Sequence, residues 1–225
     1  MNIAVLLFEG VVALDAVGPY EVLSRLPGVH VDLVARGTGA VRCDTDFLTL
    51  TPTAAFTDVL RPDALVVPGA AHRIEDALAD VALIEWLADA GADAQWIGAV
   101  GCGPLLLARA GLLNGRSVTA HWTALKRLES QGIRCSRDRL VTDGNLITAS
   151  SSSAGIDLAL HLAERLTDSE TANALRLVVG QAPENPKPDS WTEAAAHARR
   201  KAEHLLNLNR LREEGRSAIR RLQRN

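Results

Sequence analysis

The sequence has 225 residues, 47% of them hydrophobic, which suits one large domain with a buried core or a domain with an appendage. It contains no run of about 18 uncharged apolar residues, and the opening MNIAVLLFEG meets Glu9 without a basic leader; neither a membrane span nor a signal peptide is expected, and a cytoplasmic location is. The net charge of −3 conceals an asymmetry: residues 190–225 hold nine Lys/Arg against four Asp/Glu, leaving the remainder at −8.

NIAVLLF is short, wholly apolar and β-branched, as expected of a central strand covered on both faces. LDAVGPYEVLSRL then turns helical, with Gly18-Pro19 placed near its start and Val22, Leu23 and Leu26 facing inward. VHVDLVAR (29–36) reads as a second strand, LTLTP as a short third segment, and ALVVPGA (64–70) as another buried strand ending in a glycine turn. IEDALADVALIEWLADAGA is helical; QWIGAV is a strand that leads into the corner Gly101-Cys102-Gly103-Pro104; PLLLARAGLL is the helix leaving it, with Pro104 suited to its first turn. SVTAHW, a helix TALKRLESQG, a hairpin LVTDGNLITAS around Asp143-Gly144-Asn145 and a helix SAGIDLALHLAERL complete the core-like pieces. Strand–helix alternation predicts an α/β three-layer sandwich with a mainly parallel central sheet, whose sites lie beyond the carboxyl ends of the strands. Residues 1–180 are expected to form this domain and the Pro-rich 181–190 a linker. Residues 191–225 are expected to form a basic amphipathic helix with Ala195, Ala198, Ala202, Leu205, Leu208 and Leu211 in its apolar stripe.

Four segments, LLFEGVVALDAVGPYEVL, LVVPGA, AVGCGPLLLARAGLLNGRSVTAHW and VTDGNLITASSSSAGIDLALHL, together resemble the PfpI-like superfamily, over roughly residues 2–180. That resemblance implies a flavodoxin-like, class I glutamine-amidotransferase-like fold and a homodimer. Within the superfamily the isocyanide hydratase branch is nearest, along with the similar ligand-sensing halves of some transcription regulators. The family elbow reads approximately A-V-C-T-G, with its cysteine as nucleophile twenty positions before a His-Trp pair. Counting back from His121 lands on Gly101, which leaves Cys102 where the family has threonine.

Two readings of the corner stand open. Cys102 could act as nucleophile one position further on, at a helix N-terminus that favours a thiolate, or Gly101 could make room for a ligand in a site that forms no covalent intermediate. A third, bland reading is an inert, buried thiol. Asp15, with Gly18, Pro19 and Glu21, matches the family's D-x-x-G-P-x-E stretch, where the resemblance implies an acid/base aspartate; burial in an apolar corner would raise its pKa into a useful range. A helix N-cap is its structural alternative.

Gly69 and Ala70 correspond to the family's P-G-G turn, and their backbone N–H groups, with those around Gly101 and Gly103, are the candidate oxyanion donors. His121, Trp122 and Ser151 are candidate pocket residues, while Ser153 reads as an N-cap and His72 as an exposed loop residue; Glu21 reads equally as a surface or interface residue and as a chemical one. Cys43, Cys102 and Cys135 are far apart with no C-x-x-C spacing, so neither disulfides nor a metal site are expected, and no organic cofactor is implied. The basic tail is expected to pack in a dimer or on the core; nucleic-acid and membrane binding are not expected. The leading expectation is a cofactor-free, isocyanide hydratase-like lyase acting on a small molecule. If the covalent route survives, a thioimidate would form and be hydrated; otherwise acid/base addition, elimination or isomerisation led by Asp15 remains. The rival is a non-catalytic small-molecule-binding or sensor module. A deglycase or amidase would need the elbow thiol.

Overall fold

The computed structural model describes residues 1–181 and 200–205. In chain order the elements are β1 (Asn2–Leu6), α1 (Ala13–Leu23), β2 (His30–Ala35), β3 (Val41–Arg42), β4 (Thr49–Leu50), β5 (Ala54–Ala55), β6 (Ala64–Val67), α2 (Ile74–Ala79), α3 (Val81–Ala92), β7 (Trp96–Val100) and α4 (Gly103–Arg109). There follow β8 (Ser117–Val118), α5 (Trp122–Ser130), β9 (Arg134–Cys135), β10 (Leu140–Asp143), β11 (Leu146–Ala149), α6 (Ala154–Leu166) and α7 (Ser169–Val178).

Seven strands form one sheet in the order β10-β11-β7-β6-β1-β2-β5, parallel except for β10, which pairs antiparallel with β11. α1 and α6 pack together with α7 behind α6 on one face, while α4 packs on β6 and β7 on the other with α2, α3 and α5 around it. This is the expected three-layer, flavodoxin-like sandwich. The central strands are apolar on both faces because both faces are covered: Ile3 to Leu7, Ala64 to Val67 and Ile97 to Val100 are all buried.

Several local expectations are corrected. The stretch from Ile74 to Ala92 is two helices, not one: Asp80 has extended backbone, and its carboxylate accepts from Leu83 N at 3.1 Å, capping α3. LTLTP supplies β4, which pairs with β3 outside the main sheet, and the edge strand after β2 is Ala54–Ala55. SVT likewise leaves the main sheet, β8 pairing with β9. α1 begins at Ala13, so Pro19 lies inside it rather than near its start; lacking an N–H, it leaves the Asp15 carbonyl without its i+4 donor. α7 has no counterpart among the expected elements. The hairpin formed as expected, Asp143 opposite Leu146.

Of the expected linker and tail, residues 182–199 and 206–225 lie outside the described residues. Residues 200–205 are helical, with Ala202 and Leu205 buried in the core and Lys201 Nζ 2.8 Å from Glu170 of α7. Among the described residues no helix is long and apolar enough to cross a membrane.

Candidate active site

Three loops meet at the carboxyl edge of the sheet: Leu7–Val12 after β1, Pro68–Arg73 after β6 and Gly101–Cys102 after β7. The first two are laced together, Val12 N donating to Gly69 O at 2.9 Å with a bridge between Val11 and Ala70. The third is tied to the strand beside it, Gly101 N donating to Ala149 O at 2.9 Å, and to α5, His121 N donating to Gly101 O at 2.8 Å.

Asp15 projects from the first turn of α1 into this junction and is 1% exposed. Oδ2 accepts from Gly69 N at 3.0 Å, whereas Oδ1 is buried without a hydrogen-bond partner among the described residues. Burial pushes its carboxyl above the ordinary 3.8; the Ser152 hydroxyl, the Gly69 N–H and the charge of a protonated His121 pull the other way, the Ser152 hydroxyl without closing a well-formed bond to Oδ1. The N-cap of α1 is Val12, so Asp15 is not the cap that its residue type allowed.

Gly101 is the first of the two residues between strand and helix, with φ +62, a left-handed conformation that L side chains rarely adopt. A Cβ built there would lie 2.6 Å from Asp15 Oδ2. The carboxylate therefore stands in the space toward which a side chain at position 101 would point. Close approach also explains Gly69 and Gly103 beside it. A Cβ on Gly69 would meet Cys102 N at 2.5 Å, and one on Gly103 would meet Val67 O at 2.2 Å.

Cys102, the next residue, is half-buried, and its Sγ lies 3.6 Å from Thr123 Oγ1. Thr123 Oγ1 in turn is 2.8 Å from His121 Nδ1, so a hydroxyl links the thiol to the imidazole. Burial raises the Cys102 pKa, the Thr123 hydroxyl lowers it and the Asp15 charge raises it, with a net upward shift. An activated thiolate would need the opposite.

Two of the expected polarising donors are already engaged: Gly69 gives its N–H to Asp15, and Gly101 gives its own to Ala149. Ala70 is buried against Val11. Ser151 Oγ contacts Ser153 Oγ at 3.4 Å, and Ser153 occupies the N-cap position of α6 without a side-chain cap bond. Trp122 is 76% exposed, its ring tilted against His121 at 5.6 Å. His72 is exposed, as expected; Glu21 is exposed and pairs with Arg25. Thr123, which joins Cys102 to His121, was not among the expected residues; its only signal in the sequence was its place two residues after His121. Among the described residues no group of three or more His, Cys, Asp or Glu could hold a metal ion.

A mainly parallel sheet clothed on both faces, with a buried carboxylate set against a strand-to-helix elbow, defines the class of elbow-type α/β sandwich proteins. The chain belongs to the DJ-1/PfpI family, whose model matches residues 1–165. It is 37% identical over 213 residues to an isonitrile hydratase of Pseudomonas putida, covering 92% of each chain. A crystal structure of a ThiJ/PfpI family protein from Pseudomonas syringae superposes with a TM-score of 0.77 at 32% identity, covering 92% of this chain and 86% of that one. The HTH-type transcriptional regulator CdhR of Pseudomonas aeruginosa is 27% identical over 154 residues, 66% of this chain and 44% of the regulator.

Proposed function

We propose that this protein is a cofactor-free, hydratase-like lyase that adds water to a small electrophile of the isonitrile type by acid/base chemistry at Asp15, without a thiol at the elbow. The observation that carries this reading is the 2.6 Å between Asp15 Oδ2 and the Cβ position of Gly101. The acid/base group itself fills the place from which an elbow nucleophile would attack. The neighbouring Cys102 thiol, raised in pKa, is a poor substitute.

For an isonitrile R–N≡C, protonated Asp15 gives its proton to the terminal carbon. Water adds its oxygen to that carbon and returns a proton to the Asp15 carboxylate, so the net change is addition of one water. The resulting imidic acid, R–N=CH–OH, tautomerises to the N-substituted formamide. A carboxyl whose pKa is lifted by burial can hold the proton that the first step requires, and such proton transfer contributes about 10²- to 10⁴-fold in rate. The test is turnover of phenyl isocyanide by two variants. Asp15→Asn is expected to lose about 10²- to 10⁴-fold in kcat, and Cys102→Ala to stay within a few-fold of wild type. Loss of turnover in Cys102→Ala with Asp15→Asn active would sink the proposal and restore the displaced-thiol mechanism.

The second reading, a binding or sensor module, is favoured by the same missing elbow side chain and by the similarity to part of a transcriptional regulator. It expects a tightly held ligand that wild-type protein returns chemically unchanged.

A further inference from the structure

A cavity of about 380 Å³ opens beside the Asp15 junction, lined by Ala120, His121, Trp122, Leu125, Arg137, Ser150 and Ser151. Two of its walls run directly into the site: His121 N is bonded to Gly101 O, and Ser151 precedes Ser152, whose hydroxyl acts on the Asp15 carboxyl. Its volume suits a ring-sized ligand.

Chemically the lining combines apolar groups, Ala120, Leu125 and the Trp122 ring, with polar ones, His121, two serine hydroxyls and the guanidinium of Arg137. Neighbouring arginines have partners: Arg139 pairs with Asp157, and Arg127 with Glu75. No carboxylate pairs with Arg137 among the described residues. The segment that carries it is braced on both sides. Ser136 N donates to Val118 O at 2.8 Å, Thr119 Oγ1 to Asp138 O at 2.7 Å, and Ser150 N to Arg139 O at 3.0 Å. A larger cavity, about 510 Å³ beside Phe8 and Phe56, differs here, because its charges are already matched: Arg36 with Asp80, and Arg73 with both Glu9 and Asp76.

We propose that the cavity beside His121 is a recognition site for an organic carboxylate with an apolar, ring-sized body. Arg137 takes the charge, the Ser150 and Ser151 hydroxyls take the remaining lone pairs, and the body lies against Trp122. A guanidinium can grip a carboxylate through two parallel N–H···O bonds, which a neutral amide cannot receive with equal strength. Assigning this carboxylate to the substrate rests on the Asp15 reading; the binding site itself does not.

The experiment is titration calorimetry of the full chain with benzoate, benzamide and inorganic phosphate, in wild type, Arg137→Gln, Trp122→Ala and Asp15→Asn. Benzoate is expected to bind about tenfold or more tightly than benzamide, and Arg137→Gln to remove that preference. Phosphate, with no apolar body, binds more weakly, and Trp122→Ala weakens benzoate and benzamide alike. Asp15→Asn keeps the preference for benzoate. Equal binding of benzoate and benzamide, indifference of benzoate to Arg137→Gln, or phosphate binding as tight as benzoate each overturns the site. A kinetic arm separates the two readings: the ratio of kcat/KM for 4-isocyanobenzoate over phenyl isocyanide should fall about tenfold in Arg137→Gln. If wild type turns over neither compound while benzoate still binds through Arg137, the hydratase reading fails and the carboxylate site stands.

Discussion

In the first turn of α1, Asp15 is buried in the free protein, with one backbone donor on Oδ2 and, among the described residues, no partner on Oδ1. Its pKa moves opposite to that of a salt-bridged aspartate, and so does its effect on stability. With the folded pKa above 3.8, the protonated carboxyl suits the native state, and ionisation costs stability as pH rises past that value. The amide introduced by Asp15→Asn does not ionise. The melting-temperature advantage of Asp15→Asn over wild type should therefore widen between pH 4 and pH 8. A gap that narrows over that range would mean that the native state favours the carboxylate. Asp15 was legible in the sequence because Asp15, Gly18, Pro19 and Glu21 resemble the family's D-x-x-G-P-x-E stretch, set among apolar residues. Its engagement with Gly69 was not, since the two lie 54 positions apart and meet only where β1 and β6 are neighbours in the sheet.

Among the elements, the break between α2 and α3 depends on one side chain. Asp80 caps α3 through Leu83 N and also meets Arg36 at the end of β2, so a local signal and a tertiary contact coincide there. Asp80→Ala should cost about 1 kcal/mol of unfolding free energy through loss of the cap, measured by urea denaturation, while Asp80→Asn, which can still accept from Leu83 N, should retain most of it. Equal losses in the two variants would move the effect from the cap to the Arg36 pair. Periodicity alone joined the two helices, because both bury their apolar residues against the same layer. The strand-to-helix corner after β7, by contrast, was legible from a buried run followed by Gly-Cys-Gly-Pro, a composition that suits a tight turn and a proline in the first helical turn.

For the whole molecule, residues 200–205 return to the body of the fold after the Pro-rich stretch. Leu205 is 1% exposed, and Lys201 reaches both Glu170 and Asp168 at the start of α7. The apolar stripe of the tail was visible in the sequence, but its seat was not, because nothing in the local pattern singled out α7. Leu205→Ala should lower the unfolding free energy by about 2–5 kcal/mol, as for other buried leucines, within a single cooperative transition. An unchanged midpoint would show that this segment contributes nothing to the core. The sandwich and its parallel central strands were legible along the chain because burial on both faces and turn chemistry are written in consecutive residues, whereas Asp15 was marked as an acid/base candidate by a family resemblance. Only the tertiary structure decided what the corner can do. Gly101 points its vacant Cβ direction at Asp15, Cys102 turns toward Thr123, and Arg137 stands beside His121 without a counter-ion among the described residues. Each is a relation in space between loops that the strand order brings together, and no spacing along the chain encodes it.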